Sequence, residues 1–140
     1  MKTLKNFALI GVGGYIAPRH LQAIKATKNN LIVAMDINDS VGILDKYFPD
    51  AYFFLDFKEF SDYVKKFIKN GQKLDYLVIC SPNHLHFTHI KFALENNINV
   101  ICEKPLVLTP NELNRLEYYE KISIAKINSI LQLRFHPSIM

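Results

Sequence analysis

Short apolar runs rich in β-branched and aromatic residues alternate along this chain with longer stretches of helical period, and that alternation confines the fold to successive βα units around a parallel sheet. The runs at 7–10, 31–35, 52–54, 76–80 and 99–102 read as strands, and a sixth strand is expected over about 127–133. Between them Ala17, Leu21 and Ile24 repeat at helical spacing, as do Phe60, Val64, Phe67 and Ile68 before a stop at Asn70-Gly71. Phe87, Ile90, Ala93 and Leu94 give a further helix one apolar face, closed by Asn96-Asn97. The last helix has the clearest start, because Thr109-Pro110-Asn111-Glu112 is a Thr-x-x-Glu capping box with proline at the first helical position. The fold class is therefore α/β, a doubly wound, mostly parallel six-stranded sheet.

A length of 140 residues allows one compact domain and not two ordinary ones. No apolar run approaches the roughly 18 to 20 residues of a membrane span, and the N-terminus leads into a strand without the pattern of a signal peptide. A cytoplasmic location with no membrane partner is expected. Cys80 and Cys102 each end an apolar strand, where a free cysteine behaves as a small apolar residue and not as half of a disulfide. The net charge of +4 is scattered, which favours a phosphate-bearing ligand over nucleic acid. Residues 134–140 follow a strand and close no helix, so the chain reads as stopping in mid-architecture.

Directly after the first strand comes Gly11-Val12-Gly13-Gly14-Tyr15-Ile16, a glycine-rich turn that opens a helix. Gly11 permits the tight turn, Gly13 lets the main chain approach a diphosphate, and N–H groups of the first helical turn supply donors. The third position of the Gly-x-Gly-x-x-Gly pattern holds Ile16, so Gly14 or Ala17 must supply the clearance between helix and strand. Asp36 ends the second strand 25 residues after Gly11, where a carboxylate can accept hydrogen bonds from the adenosine ribose and would repel a 2′-phosphate. No Lys or Arg follows in Ile37-Asn38-Asp39 to neutralise such a phosphate, so NAD is expected over NADP on a Rossmann-type domain.

Ser81-Pro82-Asn83-His84-Leu85-His86 follows the fourth strand, and Glu103-Lys104-Pro105-Leu106 follows the fifth. Both lie at carboxyl ends of strands, the edge on which ligands bind in this architecture. With these two turns the sequence resembles the Gfo/Idh/MocA oxidoreductases, which carry a Pro-Asn-x-x-His turn and a Glu-Lys-Pro turn at the same places. Within that superfamily, the stretches 13–20, 101–106 and 130–137 are similar to bacterial UDP-N-acetylglucosaminuronate 3-dehydrogenases of O-antigen and lipopolysaccharide sugar synthesis.

The resemblance implies oxidation of the C3 hydroxyl of a UDP-linked N-acetylated hexuronic acid, with hydride passing to NAD. It implies Lys104 as the catalytic residue, which also touches cofactor and substrate. Gly11, Gly13, Gly14, Tyr15, Ile16, Asp36, Ser81, Asn83, His86, Glu103 and Gln132 are implied on the cofactor side, and Arg134 on the substrate side. Relatives carry a second α/β substrate domain that is absent here and are homo-oligomers at full length. Residues 1–127 are then the NAD-binding domain, and 128–140 are the last strand and the start of a junction. A truncated, non-catalytic NAD-binding or interaction module is the alternative. The spacing His84-x-His86-x-x-His89 suggests a metal, but no Cys, Asp or Glu completes a ligand set nearby and none is expected.

Overall fold

The computed structural model describes residues 4–39, 41–103 and 109–130. In chain order these form β1 (Asn6–Ile10), α1 (Ala17–Ala26), β2 (Asn30–Met35), α2 (Val41–Tyr47), β3 (Tyr52–Phe54), α3 (Phe57–Lys69), β4 (Tyr76–Ile79), a single 3-10 turn (Asn83–Leu85), α4 (His86–Glu95), β5 (Asn99–Glu103), α5 (Pro110–Ile122) and β6 (Ile127–Ile130). The strands make one six-stranded sheet in the order β3-β2-β1-β4-β5-β6, with every pairing parallel. Strand order reverses between β1 and β4, and the crevice outside their carboxyl ends is where ligands bind in such sheets.

Side-chain alternation splits the core into two layers, one on each face. On β1, Ala8 and Ile10 join Val33, Met35, Leu77 and Ile79 beneath Phe60 and Val64 of α3, Ile90 and Leu94 of α4 and Leu116 of α5. Phe7 and Leu9 point the other way, with Leu31, Ala34 and Val78, under Leu21 and Ile24 of α1 and Leu44 of α2. A register shift between Phe7 and Ala8 lets β2 insert one extra residue, Ile32, opposite β1.

The helix starts follow local chemistry. The Asp56 side chain accepts from the Glu59 amide at 2.8 Å and caps α3. Thr109 caps α5 by accepting from the Glu112 amide at 3.1 Å, but the Glu112 carboxylate takes the Thr109 hydroxyl at 3.2 Å, so the expected box is half formed. Asn97 sits just past α4 in the left-handed conformation, the stop expected from Asn96-Asn97. The sixth strand begins where expected and pairs with β5 over Ile127–Ile130; its expected continuation over 131–133 lies outside the described residues. Among the described residues no helix is long and apolar enough to cross a membrane.

Candidate cofactor site

The glycine turn leaves β1 at the switch point and is tied down on three sides. Gly11 and Val12 donate to the Met35 carbonyl at 2.8 and 3.2 Å, and Gly14 donates to the Gly11 carbonyl at 2.9 Å. Gly11 has φ +90°, and a Cβ there would stand 2.7 Å from the carbonyl carbon and oxygen of Cys80, so only glycine fits between β1 and β4. A Cβ on Gly14 would lie 3.1 Å from the Gly11 oxygen and 3.3 Å from the Cys80 oxygen. Gly14 therefore supplies the close approach that Ile16 cannot, and Ala17 is fully buried behind it.

The amides open to a ligand lie one step before the first helical turn, where donors are expected. Within the first turn of α1, Ala17 donates to Gly14, Pro18 has no N–H, and Arg19 donates to Ile16. The Gly13 amide is taken by Asp36 Oδ2 at 2.8 Å. Among the described residues, the amides of this turn left without a partner are those of Tyr15 and Ile16, immediately before the helix. Two adjacent main-chain donors with the positive end of a helix dipole behind them suit a diphosphate.

Asp36 follows β2 and bridges to the turn. Its Oδ1 accepts from the Asn38 amide at 2.8 Å, so each oxygen holds one main-chain donor. A carboxylate offers about four acceptor sites, which leaves each oxygen capacity for a ribose hydroxyl. An open cleft of about 350 Å³ runs along this edge, lined by Val12, Gly13, Gly14, Pro18, Gly42 and Ile43. Tyr15, next in the chain to Gly14, stands 98% exposed.

Across the switch point the 81–86 segment divides into outward and inward residues. Pro82, Asn83 and His84 are exposed on the crevice side. Ser81 and His86 are buried, and His86 Nε2 lies 2.8 Å from the Ser81 carbonyl. The expected placing of His86 against the cofactor is thus not what the geometry offers, since a ring 2% exposed and engaged from within has no free edge on the crevice. The reason is packing: α4 begins at His86 and turns it onto β4 and β5. His89, one turn on, is buried likewise, with Nδ1 2.8 Å from the Ser81 hydroxyl. Burial, and next the neighbouring His86, lower its pKa to about 4. Among the described residues no three His, Cys, Asp or Glu side chains are placed to hold a metal.

Glu103 ends β5 opposite Ile130 on β6, at the same sheet edge. Lys104, Gln132 and Arg134 lie outside the described residues. Cys80 is half-buried and Cys102 buried, and neither is in a disulfide among the described residues.

A doubly wound parallel sheet with a diphosphate-sized amide turn and an acid at the end of its second strand defines a dinucleotide-binding domain. The sequence profile of the oxidoreductase family with NAD-binding Rossmann fold, Gfo/Idh/MocA, matches residues 5–123, and the chain belongs to that family. Its cofactor is NAD, and the two open amides and the Asp36 carboxylate fit the diphosphate and an unphosphorylated ribose.

Among solved structures, the chain is 44% identical to the WlbA (WbpB) dehydrogenase of Thermus thermophilus, crystallised with NAD and α-ketoglutarate, with a TM-score of 0.93 over 97% of this chain and 44% of that one. The same dehydrogenase has been crystallised with NAD and UDP-GlcNAcA and superposes with a TM-score of 0.92. Glucose-6-phosphate 3-dehydrogenase of Bacillus subtilis is 30% identical over 86% of this chain and 32% of its own length. D-glucoside 3-dehydrogenase of Escherichia coli is 34% identical over 46% of this chain and 17% of its own length. The chain thus spans less than half the length of these relatives.

Proposed function

We propose that this chain is the cofactor-binding part of an NAD-dependent dehydrogenase that oxidises the C3 hydroxyl of a UDP-linked N-acetylated hexuronic acid in lipopolysaccharide sugar synthesis. The observation that carries this reading is the 44% identity, over 97% of the chain, to a dehydrogenase crystallised with both NAD and UDP-GlcNAcA. Residues 1–127 form the cofactor unit, and 128–140 lead from the last strand toward a substrate domain. We place the protein in the cytoplasm, as a homo-oligomer at full length.

NAD, when bound, supplies the hydride acceptor. The Tyr15 and Ile16 amides bind the diphosphate, with Gly11, Gly13 and Gly14 keeping side-chain bulk out of the turn. Asp36 receives the ribose hydroxyls and excludes a 2′-phosphate by charge. Asn83, Glu103 and Gln132 border the nicotinamide half, and Ser81 and His86 support them from behind. Lys104 orients the reacting hydroxyl, stabilises developing negative charge on its oxygen and shares in moving its proton. Arg134 faces the sugar acid, whose charge it complements.

The test is to add NAD and UDP-N-acetylglucosaminuronate to the full-length protein, this chain together with a substrate domain, and follow NADH absorbance, with UDP-N-acetylglucosamine as the control lacking the carboxylate. NADH formed only with the acid, and reduced about 10²-fold or more by Lys104→Ala, is the expected result. Binding of NAD without turnover would refute the catalytic reading and leave a non-catalytic NAD-binding module.

A further inference from the structure

One serine just past the fourth strand is gripped at its carbonyl and its hydroxyl by two rings of the same helix. Ser81 is 8% exposed, His86 2% and His89 4%, so each polar atom among them must find its partner inside. The Ser81 carbonyl can only accept, and His86 Nε2 stands 2.8 Å from it, so Nε2 carries the ring proton and donates. In the neutral ring Nδ1 is then an acceptor, and Cys102 Sγ lies 3.5 Å away with a thiol hydrogen to give. The Ser81 hydroxyl meets His89 Nδ1 at 2.8 Å, and the His89 ring packs on Phe57 with centroids 4.9 Å apart. The two histidines are three residues apart on α4 and so share one face.

An apolar pair would fill this space without any need for partners, and its hydrophobic contacts would not fix a main-chain direction. Hydrogen bonds in a low-dielectric interior do fix one. The residue so fixed is two positions before Asn83, which opens the exposed 3-10 turn on the crevice side. Through Cys102, the same His86 ring also reaches the residue next to Glu103 on β5.

We propose that His86 and His89 are positioning residues that hold the 81–83 turn through Ser81, and that His86 additionally couples this turn to the end of β5, so that both face the nicotinamide half of the cofactor in one fixed arrangement. The inference rests on the cofactor reading above. Neither ring touches the cofactor; both act through Ser81 and the strand ends.

Binding of NADH and of ADP-ribose, which has the adenosine diphosphate but no nicotinamide, separates the two claims. In His86→Leu the ADP-ribose constant stays within about twofold while NADH affinity falls about tenfold, the scale of one lost hydrogen-bonded restraint. His86→Gln, whose amide can donate to the Ser81 carbonyl, recovers most of that loss. Equal loss of both ligands, no loss of NADH, or a glutamine variant no better than leucine overturns the proposal. Failure of the unmodified chain to bind either ligand overturns the cofactor reading and this inference with it. Should the leucine variant not fold, long-range proton–nitrogen spectra of the unmodified chain decide: a single Nε2–H tautomer for His86 is expected, and a mixture of tautomers refutes the grip.

Discussion

Gly11 and Gly71 have almost the same backbone conformation, φ +90° and +91°, but different surroundings. Alanine at either must adopt a conformation that L residues avoid, at a cost of about 1 to 2 kcal/mol. At Gly71 nothing lies within 4 Å of the added Cβ, so the backbone term stands alone. At Gly11 the Cβ meets the Cys80 carbonyl carbon and oxygen at 2.7 Å and the Ser81 nitrogen at 2.9 Å, all main-chain atoms that cannot swing aside. Relief requires parting the ends of β1 and β4 against the 2.8 Å bond from the Cys80 amide to the Ile10 carbonyl. Overpacking of this kind adds about 1 to 3 kcal/mol. Urea unfolding of Gly11→Ala and Gly71→Ala should therefore show the first less stable than the second by about that amount. Equal losses, within about 0.5 kcal/mol, would refute the close approach of the turn to β4 and with it the shape assigned to the site.

Asp36→Ala should weaken NAD binding by about 1 to 3 kcal/mol and narrow the preference over NADP, because both a ribose acceptor and the charge that repels a 2′-phosphate are removed; an unchanged NAD constant by titration calorimetry refutes the role. His89 has its folded pKa lowered to about 4 from 6.5, so between those values the unfolded chain binds a proton that the folded one does not. Stability from this residue is fully present above pH 6.5 and falls by about 1.4 kcal/mol per pH unit as pH drops toward 4. Urea midpoints at pH 7, 5.5 and 4.5 should show that loss, flattened in His89→Phe; identical slopes would contradict it. Lys28 has φ +61° just past α1 and an exposed side chain, so Lys28→Gly should raise stability by about 0.5 to 1 kcal/mol, and a loss in thermal melting would count against the described helix end.

The strands were legible as apolar runs, most plainly the central β1, β4 and β5; the ends of β1 to β5 moved by at most one residue, and the expected continuation of β6 past Ile130 lies outside the described residues. Short α2 was not legible: over Val41–Tyr47 it interrupts its pattern with Gly42, and Leu44 is its residue in the buried core. In the site, Gly11 and Asp36 could be read from spacing alone, since each answers a backbone or charge requirement fixed by the βα unit. The inward turn of His86 and His89 could not, because a polar residue on a core-facing helix position reads like one on the solvent side until its partner is known. Their i, i+3 spacing beside the apolar Ile90 and Ala93 was the available signal, and it needed Ser81 across the turn to acquire meaning. That the open amides lie one step before the first helical turn was not legible, because it depends on Pro18 and on the Gly14 and Ile16 carbonyls using up that turn.

The proposed cofactor binding depends on the Tyr15 and Ile16 amides receiving a diphosphate beside Asp36. Titrating the isotopically labelled chain with NAD and following backbone amide resonances measures this directly. The Tyr15 and Ile16 signals should move furthest, while those of Gly11 and Val12, already bonded to Met35, move little. Binding that leaves the Tyr15 and Ile16 amides unmoved, or that shifts another face of the sheet instead, would contradict the account.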